Sequence, residues 1–178
     1  MFPINKKRPA VRRRRGMSLL ELVIATSMLA MVLAAVSMIL RTSRQAWEAH
    51  RGDYARIEAA HATLRHLVRE VRQADAVTSI SLATDNSGQL GLLMPTGVTR
   101  LWDHDDSDDT VNFTGTSGSG LLANDITGLR LTGFKANGTT ATTVADEVQF
   151  LKIDVTVELP REMNGTRVVS SYVWVRAW

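Results

Sequence analysis

Arg12-Arg-Arg-Arg-Gly16-Met-Ser-Leu-Leu-Glu21, followed by the apolar run 22–40, decides how this chain is read. Basic residues crowd up to Gly16, and between Met17 and Leu40 the only formal charge is Glu21. At about 1.5 Å of rise per helical residue, residues 17–40 are long enough to cross a hydrocarbon core about 30 Å thick. Positive charge ahead of a span keeps that end in the cytoplasm. The pattern therefore predicts one membrane crossing, with the amino end inside and everything from Arg41 onward outside. Glu21 is the anomaly, because a carboxylate within an apolar span is costly and points to function.

A basic leader, Gly16, Ser18, the Leu19-Leu20 pair, Glu21 and an apolar helix together resemble a type IV prepilin. The resemblance implies cleavage by a prepilin peptidase between Gly16 and Met17, N-methylation of Met17, and an assembly role for Glu21. It also implies other pilin or pseudopilin subunits and an inner-membrane assembly platform as partners. Many major pilins bend this helix with a proline. Here the corresponding neighbourhood, Val36-Ser-Met-Ile-Leu40, has none. Physics agrees with the role assigned to Glu21. The macrodipole favours a carboxylate near a helix amino end. In lipid that carboxylate still needs a positive partner, which a neighbour's Met17 amine could supply.

Composition follows from the same boundary. Residues 1–16 hold seven cations, so removing them takes the 21 basic residues to 14 against 18 acidic, near −4. The basic balance of the whole chain belongs to the leader, and nucleic acid is not a partner it implies. With no cysteine, disulfides and thiolate chemistry are excluded. Arg14-Arg15 could open a twin-arginine signal, but Gly-Met-Ser follows where large apolar residues are expected.

The predicted fold is α+β and pilin-like: a long amino-terminal helix packed on a carboxyl-terminal antiparallel sheet. Residues 1–16 are the cleaved leader, 17–40 the transmembrane half of the helix, 41–76 its amphipathic half, and 77–178 a β-rich soluble domain. Trp47, His50, Tyr54, Ile57, His61, Leu64, Val68 and Val71 recur at steps of three and four, which predicts one packed stripe. The helix is expected to end near Ala74. Short strands are expected at 77–83, 89–94, 98–102, 110–113 and 126–134, with 114–120 a Gly/Ser/Thr-rich mobile loop. Leu151, Ile153, Val155, Val157 and Leu159 alternate with polar residues, the mark of a half-buried strand. Pro160 ends that strand, Asn164-Gly165 predicts a hairpin, and 167–176 returns. The segment from Leu64 to Ala74 and the closing strand resemble minor pseudopilins of the J type and their minor-pilin relatives.

Catalytic sets are lacking: no Gly-x-Ser-x-Gly elbow, phosphate loop or paired histidines. The predicted product is not an enzyme and needs no cofactor. Asp103, Asp105, Asp106, Asp108 and Asp109 form an acidic loop that could supply oxygens to calcium. Without the EF-hand spacing, its glycine or its closing glutamate, it reads rather as a solvated acidic hairpin turn than as a metal site. The expected role is a minor pilin or pseudopilin of a type IV pilus or type II secretion system. It would be a single-pass inner-membrane protein in contact with lipid, its carboxyl-terminal domain periplasmic or extracytoplasmic. The alternative is a membrane-anchored envelope binding or sensor module that does not assemble.

Overall fold

The computed structural model describes residues 16–159 and 165–175. Residues 1–15, Pro160, Asn164 and Arg176 lie outside them, so the leader, the strand stop, the first half of the Asn-Gly turn and the end of the last strand are not among the features described. The chain divides into two compact units, one up to Gln45 and one from Ala46. The helix α1, Leu19–Gln73, contributes to both.

Among the described residues of the first unit, nothing covers the helix. Its apolar window has no buried residue, and large side chains from Leu19 to Leu40 stay exposed. Two of the hydroxyls that interrupt the apolar run are satisfied within the helix. Thr26 Oγ1 donates to the Val23 carbonyl at 3.0 Å and Ser27 Oγ to that of Ile24 at 2.8 Å. Such internal bonding is what a spanning helix requires, since lipid offers no partner.

In the second unit the helix packs on two antiparallel sheets rather than the single sheet predicted. The first sheet has the order β1-β2-β3-β4-β5. Its strands are β1 (Ala76–Ile80), β2 (Gln89–Leu93), β3 (Thr99–Asp105), β4 (Thr110–Gly115) and β5 (Gly118–Ala123). The second has the order β7-β6-β8-β9, formed by β6 (Gly128–Phe134), β7 (Ala141–Thr142), β8 (Phe150–Leu159) and β9 (Gly165–Trp174). One buried cluster joins helix, first sheet and second sheet, with Leu67, Trp102 and Ile153 among its members. The sheets are stitched at one point. Gly88 N–H donates to the Leu129 carbonyl at 2.8 Å, and Leu129 N–H to that of Asn86 at 2.7 Å. A Cβ at Gly88 would sit 2.3 Å from the Leu129 oxygen, so only glycine fits there.

Three expectations need correcting. The segment 114–120 is not a loop, because Gly115 pairs with Gly118 and Thr114 with Ser119 as β4 turns into β5. Backbone pairing needs no apolar side chain, so a Gly/Ser composition hid the strand. The helical stripe is also misphased. Its buried face is Ala60, Thr63, Leu64, Leu67, Glu70 and Val71, whereas Trp47, His50, Tyr54 and His61 are exposed. Lastly, β3 runs on to Asp105, so much of the expected acidic loop is strand. The alternation in β8 is as expected, with Leu151, Ile153, Val155, Val157 and Leu159 all buried.

Polar groups tie the helix to the sheets. Glu70, buried at 4 % exposure, accepts from Arg69 Nη2 at 3.1 Å and pairs with Arg100 Nη1. Arg56 reaches the Glu158 carbonyl at 3.0 Å and Asp125 Oδ1 at 3.2 Å.

The corrected stripe gives a direct test in a fragment starting at Ala46. Leu67→Ala should cost about 2–5 kcal/mol, whereas His61→Ala should change stability by no more than about 0.5 kcal/mol. Chemical unfolding measures both, and equal losses would restore the stripe read from sequence.

Candidate functional site

Gly16, Met17 and Ser18 precede the helix without belonging to it. The Ser18 carbonyl accepts the Leu22 N–H at 3.1 Å, which starts the helical ladder. Glu21 therefore falls in the first turn, where free N–H groups and the macrodipole favour an anion. Its side chain is exposed and has no partner among the described residues. Met17 is exposed as well, and no atom lies within 4 Å of a Cβ built on Gly16. The three residues named from sequence thus sit together, all exposed among the described residues, at the start of the apolar helix, with the carboxylate in its first turn.

The five aspartates are not brought together in that way. Asp103 and Asp105 lie on β3, and Asp106, Asp108 and Asp109 follow in and after the turn. Asp103 accepts from Gln89 Nε2 at 3.3 Å. Asp105 Oδ1 accepts both the Ser107 hydroxyl at 2.6 Å and its N–H at 3.0 Å. The hydroxyl bond, followed by the backbone bond, holds the Asp105 carboxyl below its ordinary value. Asp109 adopts φ 52°, and its carbonyl accepts from Ile126 N–H. Among the described residues no three acidic or histidine side chains converge on a common cation position.

Two histidines have structural roles the sequence reading missed. His66 sits half-buried against Trp102 and Phe113, with ring centroids 5.9 and 5.2 Å away. Trp102 Nε1–H donates to His66 Nδ1 at 3.2 Å, which needs an unprotonated nitrogen there. Burial lowers the His66 pKa, Glu70 works against it, and Arg69 and Arg100 add to the lowering. His104 is buried, and its Nε2 donates to the Ile126 carbonyl at 2.7 Å in the tautomer that this contact implies. Its Nδ1 has no partner among the described residues. Alternation with Trp102 along β3 was the signal that would have turned His104 inward.

Comparison with known proteins bears on the amino-terminal site. Residues 11–37 match the family model described as the prokaryotic N-terminal methylation motif, the signature of type IV prepilin-like proteins. The match runs through Gly16, Met17 and Glu21. No curated protein and no solved structure matches the chain. The motif indicates a type IV pilin-like precursor, and the apolar helix beside it fits an inner-membrane anchor.

Two measurements probe the second unit. A histidine whose folded pKa is lowered stabilises the fold fully above its unfolded value, about 6.5. That stability falls as pH drops from there toward the folded value. Unfolding followed between pH 7.5 and 5 should show wild type losing more stability than His66→Asn; equal losses would remove the burial argument. For the acidic turn, melting curves in millimolar calcium and in chelator should superimpose. A higher melting temperature in calcium would mean that these carboxylates rearrange around an ion.

Proposed function

We propose that this chain is a structural subunit, made as a precursor, cut by a prepilin peptidase between Gly16 and Met17, and N-methylated on Met17. The mature protein stays in the inner membrane through residues 17–40, amino end inward, with its sheet-bearing domain on the periplasmic or extracytoplasmic side. It then assembles through its helix with other pilin-like subunits, as a minor pilin of a type IV pilus or a minor pseudopilin of a type II secretion system.

One observation carries this reading. The methylation motif covers the junction and most of the span, where Gly16, Met17 and Glu21 sit exposed at the start of an apolar helix that no described residue of its unit covers. An anchor alone explains the apolar run. It does not explain a carboxylate one turn in, which is costly in lipid and has no partner among the described residues. The amine created at Met17 of a neighbouring subunit has the required charge. The reading gives no role to catalysis, and the second unit serves as the domain displayed by the assembly.

Mass spectrometry of protein taken from the native membrane tests the processing step. The expected amino terminus is a methylated Met17, and Gly16→Trp should leave the precursor uncut. An intact leader on wild-type protein, or a terminus beyond Leu33, would refute this assignment.

A further inference from the structure

Along the second unit, the helix and the edge strand β9 enclose a groove of about 420 Å³. Leu64 and Val68 form its apolar floor, Arg65, Arg69 and Arg72 stand around it, and Ser171 closes the β9 side. No acidic side chain lines it among the described residues. Arg69 is engaged with buried Glu70, and Arg65 Nε with the His61 carbonyl of its own helix. Arg72 has no partner among the described residues. The groove is thus apolar below and cationic above.

The same chain carries the complement. At the β3–β4 turn, Asp106 and Asp108 are exposed on either side of Ser107, and neither carboxylate has a partner among the described residues. We propose that the groove receives the Asp106-Ser107-Asp108 turn of a second copy of this chain. Charge complementarity argues for this occupant: the Arg65 and Arg72 guanidinium groups, which face no acid among the described residues, meet a turn whose two carboxylates face no cation among them. Arg65 and Arg72 are about 10 Å apart along the helix, a span that two aspartates flanking one residue can bridge.

The contact cannot be made with the two copies level. Arg100 on β3 pairs with Glu70, and Trp102 bonds to His66, so β3 runs back down the helix. Beyond the turn, Asp109 holds Ile126, and neighbouring Asp125 pairs with Arg56. The acidic turn therefore lies roughly ten helical residues below the groove, or about 15 Å. One copy must be displaced along the helix axis by that amount for its turn to enter the groove of the other. Such a contact uses different surfaces on the two copies, so it sets them in axial stagger rather than in a closed pair. The inference deepens the assembly reading and rests on it, naming a contact between soluble domains that the helix-based reading leaves open.

The chain has no cysteine, so introduced thiols are its only ones. Full-length Ser107→Cys and Ser171→Cys chains, distinguished by epitope tags and co-expressed in the native membrane, would be treated with a short bis-maleimide. A mixed dimer is expected. It should fall to background when Asp106→Lys and Asp108→Lys are added to the first chain, or Arg65→Glu and Arg72→Glu to the second. Combining both reversals should restore it. All four positions avoid Glu70, Asp105 and the core. As a parallel control, a photo-crosslinking residue at Ser37 reports contact of the apolar helix with the helix of any neighbouring subunit. A Ser37 crosslink without the mixed dimer would overturn the groove contact and leave the assembly reading standing. Loss of both would overturn both, and a crosslink only to a different protein would overturn the choice of a second copy. A mixed dimer unaffected by charge reversal would overturn the electrostatic basis.

Discussion

From Leu19 to Leu40 every large apolar side chain is exposed within its own unit, and this constrains everything else the chain does. Burying one such side chain is worth about 1.5–3 kcal/mol. Leaving the whole set in water would cost more than the roughly 5–15 kcal/mol by which a domain is stable. The helix must be covered from outside, first by lipid and, on the assembly reading, by equivalent helices. On that reading Glu21 ceases to be an anomaly. In lipid a carboxylate one turn into the helix needs a positive partner, and the amine that the proposed cleavage would free on an adjacent helix has the required charge.

The second unit solves the opposite problem. Its helical portion has a narrow buried face, and two sheets close over it. Packing supplies the bulk through Leu67, Trp102, Ile153 and their neighbours. Orientation comes from a few polar ties, chiefly Glu70 with Arg100 and Arg56 with Asp125. Removing one partner of a buried pair costs about 3–5 kcal/mol because the other charge is left uncompensated. Glu70 is therefore a stronger constraint on helix placement than any exposed ion pair on the same face.

Legibility in the sequence followed the physical nature of each signal. Gly16, Glu21 and the apolar run were readable because the motif is contiguous and depends on residue type alone. The β8 strand was readable because Leu151 to Leu159 alternate without a break. Alternation gives the buried face but not the neighbouring strand, so the division into two sheets was not visible. The helical stripe failed for a similar reason. Trp47 and Tyr54 are apolar enough to mark a face, yet both stay exposed among the described residues, while Ala60 and Thr63 are too small or polar to mark one. Asp154 looks solvent-facing by its place in β8, but Lys152 at 2.8 Å and Ser170 at 2.5 Å cover it. His104 was masked by the aspartates around it, although its step of two from Trp102 placed it on the inward face.

The central claim is that Glu21 serves contact between subunits rather than anchoring. Glu21→Gln keeps the shape and removes the charge, and its cost to insertion should be small because the residue lies near the end of the span. The decisive measurement compares crosslinking of the membrane-embedded helix to other pilin-like subunits in wild type and Glu21→Gln, at matched amounts of processed protein. The account predicts normal insertion and cleavage with a clear fall in crosslinking. Unchanged crosslinking, with pilus or secretion function intact, would contradict it.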